Sequence, residues 1–114
     1  MYMHEQTFEL SETPMRGYVQ VDDMIAPTLR ILNLKGYRTA WSCSGHVRED
    51  CDSAYILFEF GEITPEELPS GWFWEEDGHM EYQYISRSPD DLIREITDVM
   101  RKLSDWAESL PSTY

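Results

Sequence analysis

The clearest periodicity lies near the C-terminus, where Leu92, Ile96, Val99, Leu103, Trp106 and Leu110 recur at spacings of four, three, four, three and four. Those spacings line one face of an α-helix. The stretch "SPDDL" (88–92) opens it, with Ser88 as the cap and Pro89 in the first turn. The apolar stripe is expected to pack into the core on a sheet. Three heptad turns are few for a coiled-coil seam.

Upstream the pattern alternates between the two periods. "GYVQV" (17–21) reads as a strand, after which Asp22 or Asp23 can cap a helix reaching about Lys35, with Pro27 in its first turn. Ile25, Leu29 and Leu32 line its buried face, and Gly36 ends it. "YRTAWSC" (37–43) alternates as a strand and would place Tyr37, Thr39, Trp41 and Cys43 on a common face. "AYILFEF" (54–60) is the next strand, bounded by the 44–53 loop and Gly61. "TPEEL" (64–68) suffices for a turn or two and serves as a connector.

"WFWEE" (72–76) and "HMEYQYIS" (79–86) flank Asp77-Gly78, the signature of a two-residue type I′ hairpin. That register groups Phe73, Met80, Tyr82 and Tyr84 on one face, and Trp72, Trp74, His79, Glu81 and Ile85 on the other. One face is core, and the other is expected to be a docking surface. The order strand, helix, strand, strand, turn, hairpin, helix predicts an α+β fold. Its sheet is expected to have about five mostly antiparallel strands with two helices packed on one face. If the first two strands are parallel, the helix between them makes a right-handed crossover. No repeat or linker divides the chain, so residues 1–114 are expected to form one domain.

No apolar run approaches the roughly 18 residues that a membrane span needs. The opening "MYMHEQTFEL" lacks the basic start and apolar centre of a secretory signal, so a reducing cytoplasm is expected. A structural disulfide is disfavoured there.

Charge changes the picture further. Asp and Glu number 22 against 9 Lys and Arg, a formal net charge of −13 that repels nucleic acid. Residues 49–86 contain no Lys or Arg, yet Glu49, Asp50, Asp52, Glu59, Glu62, Glu66, Glu67, Glu75, Glu76, Asp77 and Glu81 fall among them. Such a field steers a protein toward a basic partner and suits a groove that ordinarily receives phosphates. Solubility alone is the competing explanation. Glu75, Glu76 and Asp77 at the hairpin tip, with Trp72 and Trp74, are the expected partner-binding residues. The paired acids carry no acid–base geometry, and a solvated face accounts for them.

The stretch "WSCSGHVREDC" (41–51) holds both cysteines and one of three histidines. Cys43-x2-His46-x4-Cys51 places three thiolate or imidazole donors around a Ser-Gly turn, as a zinc knuckle would. If strands 37–43, 54–60 and 72–76 run up, down and up, the 44–53 loop and the 77–78 turn share one end of the sheet. His79 is then the expected fourth ligand. His4 is a weaker candidate, and Asp50 and Asp52 offer oxygen instead. The same residues also permit a Cys43–Cys51 disulfide, a Cys43 nucleophile activated by His46, or two cysteines that only pack.

The run "LNLKGYRTAWSCSGH" (32–46), followed by "AYILFEF", resembles a group of small, largely uncharacterised proteins of Gram-positive bacteria and their phages. These share a Lys-Gly-Tyr, Cys-Ser-Gly-His core, and the resemblance covers about residues 20–60. In character the whole chain is similar to phage anti-CRISPR proteins that inhibit type II-A Cas9. That resemblance implies a non-enzymatic protein of the host cytoplasm that binds the nuclease or its guide complex and prevents target DNA from being loaded or cleaved. It carries over only the metal reading of Cys43 and His46. The alternative is a small bacterial metal-binding protein or metalloenzyme with an open zinc position at Cys43, His46 and Cys51. The inhibitor is preferred, because no phosphate-binding loop, nucleotide motif or acid–base pair is present.

Overall fold

The computed structural model describes residues 5–9, 18–22, 24–45 and 53–114. Its elements in chain order are β1 (Glu5–Glu9), β2 (Tyr18–Asp22), α1 (Ala26–Leu34), β3 (Thr39–Cys43), β4 (Ser53–Phe58), β5 (Phe73–Trp74), β6 (His79–Gln83) and α2 (Pro89–Ser109). Two helices and antiparallel strand pairing give the expected α+β class. The strands divide differently from expectation. β1 and β2 form a two-stranded sheet, and the other four make a second sheet in the order β3-β4-β6-β5. The predicted first strand therefore pairs with the polar segment "EQTFE", whose one large apolar residue hid it, and β2 and β3 are not neighbours in one sheet.

Helix α1 starts later than an Asp cap would place it, with Ile25 at the cap position and no side-chain cap bond. Its apolar face is as expected, with Ile25, Leu29 and Leu32 fully buried. Gly36 ends it at φ 97°, with Tyr37 N–H donating to the Leu32 carbonyl (2.9 Å) and Gly36 N–H to that of Asn33 (3.1 Å). This is a Schellman close, with Tyr37 and Leu32 buried as its apolar pair. A side chain at position 36 would also strike Thr113 of the C-terminal tail, so glycine is required twice over.

Helix α2 starts as expected, with Ser88 Oγ accepting from Asp91 N–H at 3.2 Å and Asp90 and Asp91 in the first turn. Ile96, Val99 and Leu103 of the stripe are buried, and Met100 and Ala107 widen it. Thr28 and Ser104 hydroxyls meet at 2.7 Å between the helices. Lys35 Nζ donates to the carbonyls of Ala107, Glu108 and Leu110, placing a cation on the negative end of α2. Tyr37 Oη donates to the Pro111 carbonyl, so the tail is pinned to the end of α1.

Strand β4 is the organiser of the larger sheet. Ala54, Ile56 and Phe58 are buried and form one cluster with Met80 of β6 and the apolar faces of both helices. This inner face is the core, and each large side chain in it is worth about 1.5–3 kcal/mol of burial. Ser53, Tyr55 and Leu57 point to the opposite, half-buried outer face. No helix of the described residues is long and apolar enough to cross a membrane.

Two irregularities reassign faces. Thr39 pairs with Phe58 but Trp41 with Leu57, so β3 carries one extra residue, a bulge. Tyr37 and Thr39 are buried, whereas Trp41 is turned to the outer face and is 71% exposed. The hairpin has a three-residue loop. Glu75 N–H donates to the His79 carbonyl (2.8 Å), Gly78 N–H to that of Glu75 (3.0 Å), and Gly78 has φ 94°. That is a turn closed by a left-handed glycine bulge, not a two-residue type I′ turn. A one-residue change in loop length exchanges the faces of the first strand. Trp74 consequently pairs with Met80 on the inner face and Phe73 with Glu81 on the outer, the reverse of the expected grouping.

Candidate functional site

Strand β3 delivers Cys43, buried, to the end of the sheet where Ser53 pairs with Gln83. The next two residues are tightly held. Tyr84 Oη donates to the Ser44 carbonyl at 2.6 Å, and Ser44 is fully buried. Gly45 takes φ 99°, and a Cβ there would lie 2.6 Å from the Tyr84 ring. Only glycine makes this turn. Its N–H donates to Cys43 Sγ at 3.4 Å. A backbone amide aimed at sulfur is the kind of outer contact that orients and stabilises a thiolate ligand. The donor chemistry at Cys43 thus fits a zinc ligand. His46 and Cys51 lie outside the described residues, as do His4, Asp50 and Asp52. The sequence grouped Tyr84 with Met80 and Tyr82 on one hairpin face but gave no sign of its bond to Ser44, although a buried tyrosine hydroxyl must find a partner.

His79 does not join this site. β6, not β5, pairs with β4, because residues 59–72 carry the chain back along the sheet before β5 begins. The 75–78 turn therefore emerges at the end of the sheet opposite Cys43 and Ser53. Cys43 pairs with Tyr55, and His79 with Leu57 one strand further on. Two strand spacings and two residues of rise separate their Cα atoms by about 12 Å, beyond the reach of a shared ion.

His79 has other partners. Its Nε2 meets Glu81 Oε1 at 2.9 Å, and its Nδ1 meets Asp77 Oδ1. The carboxylates approach opposite nitrogens and cannot converge on one metal. Among the described residues no group of three His, Cys, Asp or Glu is arranged to hold one. Burial is the largest single influence on His79 and disfavours its charge, but Glu81 and Asp77 together outweigh it and raise its pKa above 6.5. The hydrogen bond from His79 is the main reason that Glu81 falls below its ordinary 4.5. Gln83 adds a bond to Glu81 at 3.0 Å. The brace joins the turn to the strand.

Its pH dependence has a definite sign. A histidine raised by folding contributes stability below 6.5 that is lost as pH rises through the higher folded value. The lowered Glu81 contributes stability above 4.5 that is lost as pH falls through its folded value. The hairpin is thus most firmly braced in mildly acidic solution. In an NMR titration the His79 ring should turn over above 6.5, and Glu81→Gln should bring its midpoint down. A midpoint unmoved by Glu81→Gln would show that the bond is not formed.

The hairpin-tip acids are where the sequence placed them, with Glu76 and Asp77 exposed and Glu75 half-buried. The tryptophans differ. Trp72 is in the core, its ring 5.8 Å from that of Tyr82, so it is not a surface for a partner. Trp74 is 40% exposed and leans on Phe58 with ring centroids 6.0 Å apart. The large apolar side chains most open to solvent include Phe60, Ile85, Trp41 and Ile63; only Ile85 belongs to the hairpin face expected to dock a partner. Phe60 and Ile63 follow β4 directly, and the alternation of "AYILFEF" disguised Phe60 as one more strand residue. Comparison of the chain with family models, curated proteins and solved structures gave no match to any of them.

Proposed function

We propose that this chain is a non-enzymatic, acidic inhibitor protein that binds a basic nucleic-acid-handling protein and keeps DNA out of its groove. The partner put forward is Cas9 or its guide complex, which places the protein in the cytoplasm of a bacterial host. The observation that carries this reading is the stretch 49–86 without Lys or Arg, whose Glu62, Glu66, Glu67, Glu76 and Asp77 side chains are exposed. Carboxylates displayed without intervening cations complement a surface built to receive phosphates, and a chain of net charge −13 does not itself bind nucleic acid.

Zinc is the proposed structural cofactor, held by Cys43, His46 and Cys51 with a fourth ligand other than His79. The amide donated to Cys43 sulfur and the Tyr84 clamp on Ser44 support this assignment. The metal would fix the 44–52 loop, where a short acidic segment has few apolar side chains to hold it.

The test is capture of purified Cas9, with and without guide RNA, on the immobilised protein. Retention is expected at 0.1 M salt and release toward 1 M, as the Debye length falls from about 10 Å to about 3 Å. No retention of either form would refute the assignment of this partner.

A further inference from the structure

Between the turn that leaves β4 and the hairpin turn lies a cleft of about 380 Å³. Ala40, Leu57 and Phe58 line it with apolar side chains, and Glu59, Glu62 and Asp77 line it as well. None of its lining residues is Lys or Arg. Residues 59–62 form a tight turn in which Glu62 N–H donates to the Glu59 carbonyl at 3.2 Å and Gly61 takes φ 79°. That geometry pushes Phe60 out at the tip, where it is 105% exposed. Ile63 beside it is 59% exposed, and Trp41, paired with Leu57 across the sheet, is 71% exposed.

We infer that this cleft is the docking groove for an arginine-bearing extended segment of a basic partner protein. The inference rests on the reading of the chain as an acidic interaction protein. An arginine stem lies on apolar surface while its planar guanidinium stacks on an aromatic ring and takes a carboxylate in a two-point bond. Leu57, Phe60 and Glu62 offer these three features together. The volume is near the small end of the range of about 300–1,000 Å³ for ligand pockets, which suits a side chain rather than a folded element. Charge selects the occupant. A second copy of this chain brings net charge −13 to the same acidic rim and is repelled, whereas a basic segment is attracted.

The probe is a fluorescein-labelled nona-arginine peptide, compared with nona-lysine, by anisotropy at 0.1 M salt. Phe60→Ser and Glu62→Lys alter exposed side chains and leave the core intact. Each is expected to weaken nona-arginine binding about tenfold, whereas Glu108→Lys on α2, with the same change of net charge as Glu62→Lys, stays within about twofold. Nona-lysine should bind more weakly and respond less to Phe60→Ser, because an ammonium does not stack as a guanidinium does. Unchanged affinity in Phe60→Ser, or equal losses in Glu62→Lys and Glu108→Lys, would overturn the groove. Cas9 capture by the same variants separates the two readings. Capture unaffected by Phe60→Ser and Glu62→Lys removes the groove and leaves the inhibitor. Failure of the unaltered protein to capture Cas9, with the peptide losses as expected, removes Cas9 and leaves the groove.

Discussion

Cys43→Ser protein is expected to be purified with less than about a tenth of the zinc that the unaltered chain carries, which should be close to one ion per molecule. Structural zinc sites bind with apparent free energies of about 10–16 kcal/mol, and much of that appears as folding stability. Loss of a thiolate leaves an incomplete shell that holds the ion far more weakly. Cys51→Ser should behave alike. Cys43 is also buried, so its replacement disturbs packing as well as ligation. EDTA separates the two effects. The unaltered protein should melt well below its usual temperature with EDTA, since a domain of about 100 residues shifts about 4–8 °C per kcal/mol. The variant should already melt low and ignore the chelator. Elemental analysis without any transition metal, or a native bond between Cys43 and Cys51 in mass spectrometry, would contradict the site. Tyr84→Phe gives a milder version. It strips the buried Ser44 carbonyl of its 2.6 Å partner, at a cost of about 1–3 kcal/mol, while leaving all proposed ligands in place.

Reversing Glu75 and Glu76 to lysine should slow association with Cas9 at least about tenfold at low salt, because steering by opposed charge accelerates encounters by about 10 to 1,000 times. The matched control reverses Asp105 and Glu108, which are exposed on α2 and change the net charge equally. Asp98 is unsuitable as a control because its carboxylate is already tied to Arg101 (2.5 Å) and Lys102 (3.0 Å). Asp77 is left alone because it braces His79. If both pairs of reversals slow association equally, only the total charge matters and the hairpin tip is not the contact. If neither does, the acidity serves solubility.

Local signals in the sequence were faithful where one physical cause dominated. Ser88, Pro89 and the four-three stripe defined α2, and Gly36 closed α1, because capping and burial agreed at each. Faces were misread where one residue of length decided them. The extra residue at Ala40 turned Trp41 outward, and the glycine bulge at Gly78 exchanged Phe73 with Trp74. Nothing in residue type distinguishes a two-residue from a three-residue loop around Asp77-Gly78, since glycine accepts positive φ in both. The strand order was beyond local pattern as well. Placing β6 between β4 and β5 depends on the return path of residues 59–72, and that path separates His79 from Cys43. Cys43 itself was legible as the end of β3, but the Tyr84 clamp joins residues forty apart and has no local signature.

DNA loading onto guide-bound Cas9, followed with labelled target DNA in two orders of addition, tests the proposed function most directly. Preincubation with this protein should prevent loading, with a midpoint near the concentration of Cas9, and should leave DNA that was bound first in place. Loading at an undiminished rate in the presence of excess protein would contradict the proposal.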